Sequence, residues 1–378
     1  MITLGVGGIS YPELKNIVSL PFEDVRVLRT YSVTSLPNFF ARHIFKKSGA
    51  HSFLNCFSWD MGLTKVDLFH FFNRISAPPR PWMVTFEHEV PRWNARSRMG
   101  MRLLAGNSCG KVIALSDFAY DAQRQLLEEF PDLRDDIAAK MITLHPPQPV
   151  LIPDVAAKNL DPDRLSLVFI GRDFFREGGA NVLSVFSRLI QEGHAVHLVI
   201  ISAMNHGDYV TNASAADVHD ALRVIRSLEH HITLRSEIAD LHVADYLRDA
   251  HIGLLPTYDD TFGYSVLECQ AAGTPVISTD VCALPEINNN DIGWLIRVPQ
   301  GIDRRALFRT ADERARLSRI IEEQLYETIK RIIADPAVIR NKATLAWERI
   351  RDHYAPEQRA AFLTSLYRDV LTHARAKR

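Results

Sequence analysis

Short runs of β-branched and aromatic residues alternate with longer amphipathic stretches along most of the chain. This alternation is typical of α/β layering with parallel sheets. In the first half it predicts strands at Ile2–Val6, Val25–Arg29, Met83–Phe86, Val112–Leu115 and Met141–Leu144. In the second half it predicts strands at Ser166–Ile170, Val196–Ser202, Ile232–Arg235, His251–Pro256 and Pro275–Ser278, the last taken as the final strand. The predicted helices of that half are Asn181–Gln191, Ala216–Leu228, Ala239–Asp249 and Ser265–Ala272.

A cluster of prolines separates the two α/β segments. Pro146, Pro147, Pro149 and Pro153 stand close together in HPPQPVLIPD. Because proline fixes its backbone and lacks an N–H, such a cluster can continue neither a helix nor a central strand. The cluster therefore predicts a stiff extended linker and the best domain boundary in the chain.

The chain ends in a helical tail. From Asp303 onward no strand pattern is present, and long charged amphipathic helices are broken at Pro336 and Pro356. A chain of 378 residues is also too long to fold around one ordinary hydrophobic core. We therefore predict a first domain at 1–148, a linker at 149–164 and a second domain at 165–352. We expect the last helix, 353–378, to return to the first domain.

Composition excludes several classes of protein. The chain has 44 basic and 45 acidic residues, whereas a general nucleic-acid binder usually carries a basic excess. Its four cysteines form no Cys-x-x-Cys pair, which argues against structural zinc and a disulfide framework. The first residues do not have the pattern of a signal peptide, and the apolar runs are much shorter than the ~20 residues of a membrane span. We expect a cytoplasmic protein.

The most informative stretch is AHIGLLPTYDDTFGYSVLECQAAGTPVISTDVCALPE, residues 250–286. An apolar strand ends at Pro256, a loop carries Asp260, and Gly263 precedes a helix that Ser265 is expected to cap. The free N–H groups and positive dipole of such a helix N-terminus suit a diphosphate. Glu268, about one turn into the helix, could accept both hydroxyls of an attached ribose.

This run resembles the donor-binding motif of glycosyltransferase family 4, in which two acidic residues bracket a Phe-Gly pair. The resemblance implies that Asp260 faces the donor sugar as a catalytic residue and that Glu268 holds the ribose. It further implies donor binding by Phe262, Gly263, Tyr264 and Ser265. The family usually has Glu where this chain has Asp260, so its carboxylate reaches one methylene less far and the donor sugar is left open.

A second motif supports the first. In LVFIGRDFFREGGANVL, residues 167–183, Arg172 occupies the arginine position of the family's Gly-Arg…Lys-Gly pattern. Two cations there would neutralise the diphosphate as the glycosidic bond breaks. The family lysine, however, is Glu177 in this chain, with Arg176 beside it. We therefore expect Arg172 to bind the donor. Either Arg176 takes over the role of the lysine and binds the donor too, or donor binding is weakened.

The first half is less specific. Gly8 belongs to a glycine-rich turn after the first strand, where the family's first loop lies against donor and acceptor. Ser10 breaks the dinucleotide fingerprint Gly-x-Gly-x-x-Gly, which disfavours a dinucleotide-dependent oxidoreductase. His88 follows a strand end, where α/β proteins expose ligand-facing residues, and is our second candidate catalytic residue. Asp67 and His70 match the family too loosely to be assigned.

The resemblance implies a GT-B architecture, with two Rossmann-like domains whose parallel sheets face each other across a cleft. It implies a retaining, metal-independent hexosyltransferase without a cofactor, which moves sugar from a UDP- or GDP-linked donor to a glycan or lipid-linked acceptor, as in polysaccharide biosynthesis. A non-catalytic GT-B partner subunit and a nucleotide-sugar epimerase or hydrolase remain open alternatives. The nucleotide, sugar, acceptor and oligomeric state also stay open.

Membrane contact is a separate possibility. Phe39, Phe40, Ile44 and Phe45 alternate with Arg42, Lys46 and Lys47 in a basic amphipathic stretch. Such a face can rest on the inner face of an anionic membrane, although packing on the first sheet is the more ordinary interpretation.

Overall fold

The protein is described from a computed structural model, and its contacts divide the chain into two compact units. The first unit comprises Met1–Pro147 and Tyr354–Arg378, and the second comprises Gln148–His353. The structure describes residues 1–8, 10–32, 57–76, 80–92, 94–158, 160–161, 163–236 and 243–376. The basic amphipathic stretch at 39–47 and the first residues of the helix predicted at 239–249 lie outside these ranges.

The first unit is built on a six-stranded parallel sheet. Its strands in chain order are β1 (Ile2–Val6), β2 (Val25–Arg29), β4 (Leu68–Phe72), β6 (Trp82–Phe86), β7 (Cys109–Ala114) and β8 (Met141–Thr143). They lie in the order β2-β1-β4-β6-β7-β8, and two short strands, β3 (Phe57–Ser58) and β5 (Ile75–Ser76), pair separately. β4 and β6 are buried along their whole length, as expected for central strands covered on both faces.

Helices cover this sheet on both sides. They are α1 (Tyr11–Glu13), which continues as a π-helical turn at Leu14–Val18, α2 (Arg98–Ala105), α3 (Asp117–Leu127), α4 (Arg134–Ala138) and the C-terminal α12 (Pro356–Ala376). Leu363, Tyr367 and Val370 of α12 join the same core as Leu4 and Leu68 of the sheet. The last helix thus belongs to the first unit.

A buried histidine connects α12 to the sheet by hydrogen bonds. The two ring nitrogens of His70 lie 2.8 Å from the Tyr367 hydroxyl and 2.8 Å from the Thr85 hydroxyl. Burial lowers the pKa of His70 to about 3, so the ring is neutral and uses one nitrogen as donor and the other as acceptor. His70 is therefore a structural residue of the first unit.

The second unit repeats the architecture. Its strands are β9 (Leu165–Ile170), β10 (Val196–Ile201), β11 (Ile232–Arg235), β12 (Ile252–Leu255), β13 (Val276–Thr279) and β14 (Trp294–Ile296), arranged in the order β11-β10-β9-β12-β13-β14. All described pairs are parallel. The helices are α5 (Gly179–Gln191), α6 (Ala215–Ser227), α7 (Val243–Arg248), α8 (Tyr264–Ala271), α9 (Leu284–Ile287), α10 (Ala311–Ala334) and α11 (Ala337–His353).

Local signals explain where several of these helices begin. α10 starts with a capping box, in which the Glu313 N–H donates to the Thr310 hydroxyl and the Thr310 N–H to the Glu313 carboxylate. Pro336 and Pro356 separate α10, α11 and α12 as predicted, since proline ends a helix but is tolerated in its first turn. None of the described helices combines the length and the apolar character that crossing a bilayer needs.

The first residues of the second unit pack against the ends of two of its helices. The Leu151 N–H donates to the Ala271 carbonyl, and the Lys158 ammonium donates to the carbonyls of Ala250, Ala272 and Gly273. Burial lowers the pKa of Lys158 to about 7. These carbonyls come directly after the ends of α7 and α8, so one side chain links the segments that leave the two helices.

Two predictions about the strands were wrong. Pro275–Ser278 is not the last strand, because β14 adds a further edge; with three residues, it is too short to show a period-two pattern. β4 was missing from the predicted strands because His70 interrupts its apolar run. The other predicted strands match observed ones to within three residues at each end.

Candidate functional site

The second sheet has one point where its strand order reverses. β9 pairs with β10 on one side and with β12 on the other, so the chain runs outward from β9 and later returns beside it. The loops that follow β9 and β12 leave the same edge of the sheet. In open α/β sheets ligands bind in the crevice at such a switch point, beyond the carboxyl ends of the strands.

The two loops at this point are in direct contact. The Tyr258 N–H donates to the Arg176 carbonyl at 2.9 Å, and the Thr257 hydroxyl donates to the same carbonyl at 3.2 Å. Gly178 has a φ of 89°, and a Cβ at this position would lie 2.2 Å from the Pro256 carbonyl oxygen. Only glycine therefore fits where the β9 loop passes the β12 loop.

The Arg176 side chain also connects the loop after β9 with the loop after β12. Its guanidinium donates to the Asp259 carbonyl at 3.0 Å, to the Asp173 carboxylate at 2.5 Å and to Glu177 at 3.2 Å. Burial opposes the charged form, but the carboxylates of Glu177, Asp260 and Asp173 raise the pKa of Arg176. Arg176 thus carries a permanent positive charge close to Asp260.

Glu177, which occupies the position of the family's lysine, is buried. Its carboxyl packs so closely on Gly171 that a Cβ added to Gly171 would lie 2.2 Å from Oε2 of Glu177. Burial raises the pKa of Glu177 to about 8, and the neighbouring charge of Asp260 adds to the effect. At neutral pH the group is therefore mostly protonated. Compared with a lysine, the protonated Glu177 side chain lacks one positive charge but adds little negative charge to the site.

Asp260 organises the start of α8. One of its carboxylate oxygens accepts hydrogen bonds from the N–H groups of Phe262 at 3.0 Å and Gly263 at 3.1 Å. Burial raises the pKa of Asp260, while these two hydrogen bonds and the Arg176 charge oppose that shift. We expected the Gly263 N–H to face the phosphates, but it donates its hydrogen bond to the Asp260 carboxylate instead.

The cap of α8 differs from the prediction. Gly263, not Ser265, is the N-cap residue; it has a φ of 87°, and a Cβ on it would lie 2.4 Å from a methyl group of Leu284. Ser265 lies within the first turn, after Tyr264, whose ring is 5.1 Å from that of Phe262. The prediction rested on serine's preference for N-caps, whereas the tight approach to Leu284 selects glycine.

A cluster of polar side chains surrounds the buried carboxylate of Asp259, and sequence reasoning missed it. The Asp259 carboxylate accepts hydrogen bonds from the Tyr209 hydroxyl and, at 2.8 Å, from the Arg305 guanidinium, and the Cys282 thiol donates to it at 3.4 Å. Asp259 is only 1% exposed. The cluster ties together the loops after β10, β12, β13 and β14. No local signal could reveal it, since its members are far apart in the chain.

Two further predicted residues lie on this edge of the sheet. Arg172 is exposed, directly after β9, and makes no hydrogen bond or ion pair with the part of the chain that the structure describes. Glu268 lies in α8 and is partly buried. Within the described ranges, no group of three or more His, Cys, Asp or Glu side chains could hold a metal ion.

Gly8 and His88 belong to the first unit. A Cβ on Gly8 would lie 2.4 Å from the Glu13 carboxylate, which accepts hydrogen bonds from the N–H and hydroxyl of Ser10. His88 follows β6; its ring centroid is 5.4 Å from that of Phe118, and its Nδ1 is 3.9 Å from the Glu89 carboxylate. Both residues lie beyond the carboxyl ends of their strands, as predicted.

Sequence similarity to characterised proteins is concentrated in the second unit. Residues 164–309 match the model of the family described as Glycosyl transferases group 1. A D-inositol 3-phosphate glycosyltransferase of Rhodococcus erythropolis (strain PR4 / NBRC 100887) is 27% identical over 143 residues, which are 38% of this chain and 32% of that protein. The aligned part spans about a third or less of the length of the curated relatives that it matches.

Structural similarity extends over nearly the whole chain. Sucrose-phosphate synthase from Thermosynechococcus elongatus has a TM-score of 0.63 at 16% identity, covering 98% of this chain and 100% of that structure. Anabaena HepE in complex with UDP has a TM-score of 0.60 at 14% identity, covering 97% of this chain and 99% of that one. The fold is therefore that of the GT-B glycosyltransferases, as the sequence predicts.

Proposed function

We propose that the protein is a retaining glycosyltransferase that moves a hexosyl group from a UDP- or GDP-linked donor to a glycan or lipid-linked acceptor. The main observation behind the proposal is that the loops after β9 and β12 are in contact at the switch point of the second sheet. There a permanent cation, Arg176, lies beside the acidic Asp260 and the start of α8. A diphosphate needs a cation and a helix N-terminus, and the sugar attached to the diphosphate needs a nearby carboxylate.

We assign the diphosphate to the start of α8 and to the two arginines beside it, which supply positive charge. The first turn of α8 leaves N–H groups that the helix itself cannot satisfy, and its dipole favours an anion. Arg172 is exposed after β9 and can turn toward a ligand without losing a partner among the described residues. Together with Arg176 it would stabilise the charge that grows on the leaving diphosphate. Because these cations come from the chain, we propose that transfer needs no metal ion.

The remaining roles follow from the same geometry. Glu268, on the helix whose N-terminus faces the phosphates, is assigned to the ribose hydroxyls. Asp260 keeps one carboxylate oxygen outside its two backbone hydrogen bonds, and we assign this oxygen to the hydroxyls of the donor sugar. Gly8 and His88 lie at the carboxyl edge of the first sheet. We assign Gly8 to donor binding and His88 to a catalytic role, in which it orients the acceptor or contacts the donor sugar. UDP in the HepE structure agrees with a nucleotide of this kind.

One observation favours a second candidate, a non-catalytic partner subunit. Arg176 already donates to the Asp173 carboxylate and is therefore partly neutralised before any donor arrives. In that case the unit could hold a nucleotide weakly, or not at all, and no turnover would occur.

The deciding experiment measures binding and turnover separately. Thermal unfolding is followed with UDP, GDP, ADP and NAD, each in the presence of EDTA, and donor hydrolysis is then measured with UDP- and GDP-hexoses. We expect UDP or GDP to raise the melting temperature without metal and the matching sugar nucleotide to be hydrolysed slowly, with retained anomeric configuration by NMR. Stabilisation only after Mg²⁺ or Mn²⁺ is added would refute the metal-free mechanism. Binding without any hydrolysis or transfer would favour the partner subunit.

A further inference from the structure

A cavity of about 530 Å³ lies at the amino edge of the second sheet. Three of its lining residues stand where neighbouring strands begin: Leu165 opens β9, His251 directly precedes β12, and His194 lies two residues before β10. The candidate donor site lies beyond the carboxyl ends of these strands, so the cavity is a separate place in the unit. Small-molecule pockets have volumes of roughly 300–1,000 Å³. The cavity is therefore large enough for a small ligand.

One wall of the cavity is apolar. Ile332 and Ile333 at the end of α10, Ile339 of α11, and Val155 in the turn Val155–Ala157 form it. Ile332 and Ile339 are buried, whereas Ile333 and Val155 are partly exposed. An apolar group that covers such partly exposed side chains removes their surface from water, which is favourable. The wall therefore favours a ligand with an apolar body.

Two histidines supply the cavity with hydrogen-bond donors. The Ser166 N–H donates to Nδ1 of His251 at 3.0 Å, so the neutral ring carries its hydrogen on Nε2. Burial and the nearby charge of Lys158 lower the pKa of His251, which favours this neutral ring. The Lys330 ammonium, which can only donate, is 2.8 Å from Nε2 of His194, so this ring carries its hydrogen on Nδ1. Neither of these two N–H groups has a partner in the part of the chain that the structure describes.

The charged side chains of the cavity favour an anion. Arg340, on α11, is exposed, and its guanidinium makes no hydrogen bond or ion pair with a described residue. Lys158 adds positive charge to the wall, where its ammonium donates to backbone carbonyls. Arg164 is 3.5 Å from the Asp161 carboxylate, so these two charges offset each other. Asp163 is the other acid among the described lining residues, and it is exposed. A negatively charged ligand therefore finds an available cation and available donors.

We propose that this cavity binds a small organic anion, in which one carboxylate, sulfonate or phosphate group is joined to an apolar body. The negative group would accept hydrogen bonds from the available N–H donors of His194, His251 and Arg340, and hydrogen bonds to an ionised acceptor are the stronger ones. The apolar body would cover the isoleucine wall. The inference goes beyond the proposed function, because the cavity lies at the opposite edge of the sheet from the candidate donor site.

Fluorescence titration of the full chain with 8-anilinonaphthalene-1-sulfonate tests the site, because this probe joins an apolar body to one negative charge. We expect saturable binding to the wild-type chain. Ala156 is exposed and lines the cavity, so the bulk of Ala156→Trp should obstruct it and weaken the binding by about tenfold or more. Ala157→Trp is the matched control, since Ala157 is the next exposed residue of the same turn and does not line the cavity. Equal melting temperatures of the two variants would show that both are folded.

A second pair of variants tests the charge of the ligand. Arg340→Gln should weaken binding of the sulfonate probe about fivefold, whereas Arg319→Gln, which changes an exposed arginine of α10 outside the cavity, should not. The uncharged analogue N-phenyl-1-naphthylamine should bind less tightly, and its affinity should be equal in the wild type and in Arg340→Gln. Absence of saturable sulfonate binding, unchanged affinity in Ala156→Trp, or an equal loss for both probes in Arg340→Gln would overturn the proposal. No nucleotide is present in these titrations, so their outcome is independent of the proposed function.

Discussion

The guanidinium of Arg305 lies 2.8 Å from the carboxylate of Asp259, while the neighbouring carboxylate of Asp260 holds backbone N–H groups of its own loop. Two consecutive acids thus have different partners. Asp259 is buried within a cluster of polar side chains that also includes Tyr209 and Cys282. Asp260 stands at the start of α8. This difference separates a structural acid from a candidate ligand-binding acid.

The first prediction compares these two residues. Asp259→Asn leaves the Arg305 charge without its carboxylate, and we expect the free energy of unfolding to fall by roughly 2–4 kcal/mol. Asp260→Asn keeps an oxygen for its two N–H donors, so its cost should stay below about 1 kcal/mol. Donor turnover should instead fall about 100-fold in Asp260→Asn. Urea unfolding and donor hydrolysis measure the two effects, and equal stability losses in both variants would contradict the distinction.

The second prediction concerns the pH dependence of stability. The pKa of Glu177 rises from an ordinary value of 4.5 to about 8 on folding, so the folded state holds one more proton than the unfolded state between these values. The stability that this group contributes is greatest below pH 4.5 and is lost as the pH rises through 8. Glu177→Gln should remove this loss and flatten the profile of melting temperature against pH between about 4.5 and 8. Parallel profiles for the two proteins from about pH 5 to pH 9 would show that Glu177 is already ionised in the folded state.

The third prediction separates the two arginines. Arg172→Ala should weaken binding of the nucleoside diphosphate by roughly 1.5–3 kcal/mol without changing the melting temperature, since Arg172 has no partner among the described residues. Arg176→Ala should abolish transfer and also destabilise the fold, because Arg176 bridges two loops. Arg226→Ala, an exposed arginine on α6, is the control for a general effect of charge. Calorimetric titration in EDTA measures the affinity. Full transfer by Arg176→Ala would leave Arg172 as the cation of this site.

The fourth prediction tests the ribose contact. Glu268→Ala should weaken nucleoside diphosphate binding by roughly 1.5–3 kcal/mol, the scale of a hydrogen bond to a charged group. Circular dichroism should stay unchanged, and Glu229→Ala, an exposed residue of the same unit, should keep the wild-type affinity. The same titration with inorganic pyrophosphate provides a second control. Pyrophosphate lacks the ribose, so its affinity should be equal in the wild type and in Glu268→Ala.

The fifth prediction concerns the contact between the two loops. Gly178→Ala places a Cβ 2.2 Å from the Pro256 carbonyl oxygen, and we expect a loss of about 3 kcal/mol or more in stability. Gly193 has a similar φ of 79° but nothing within 4 Å of its Cβ position. Gly193→Ala should therefore cost about 1 kcal/mol, which is the backbone strain alone. The difference between their unfolding midpoints in urea measures the steric contact, and similar midpoints would exclude it.

Sequence reasoning succeeded where the signals are local. Prolines marked the breaks between the last helices, and alternating apolar runs located most strands of both sheets. It failed where a property depends on distant residues. Arg305 is 46 positions and Tyr209 is 50 positions from Asp259, so no spacing rule could join them. The raised pKa of Glu177 likewise follows from burial against Gly171, which no pattern of residue types reveals.

The contact between His70 and Tyr367 spans 297 positions of the chain, and it fixes an order of events during synthesis. The second unit is one continuous stretch, residues 148–353, so all of it has left the ribosome before α12 is made. The strands of the first unit are made earlier, but their core waits for the helix that brings Tyr367. Until then His70 has no hydroxyl from that helix, and the apolar side chains that α12 covers stay open to solvent. The unit that is translated first is thus the one that is completed last.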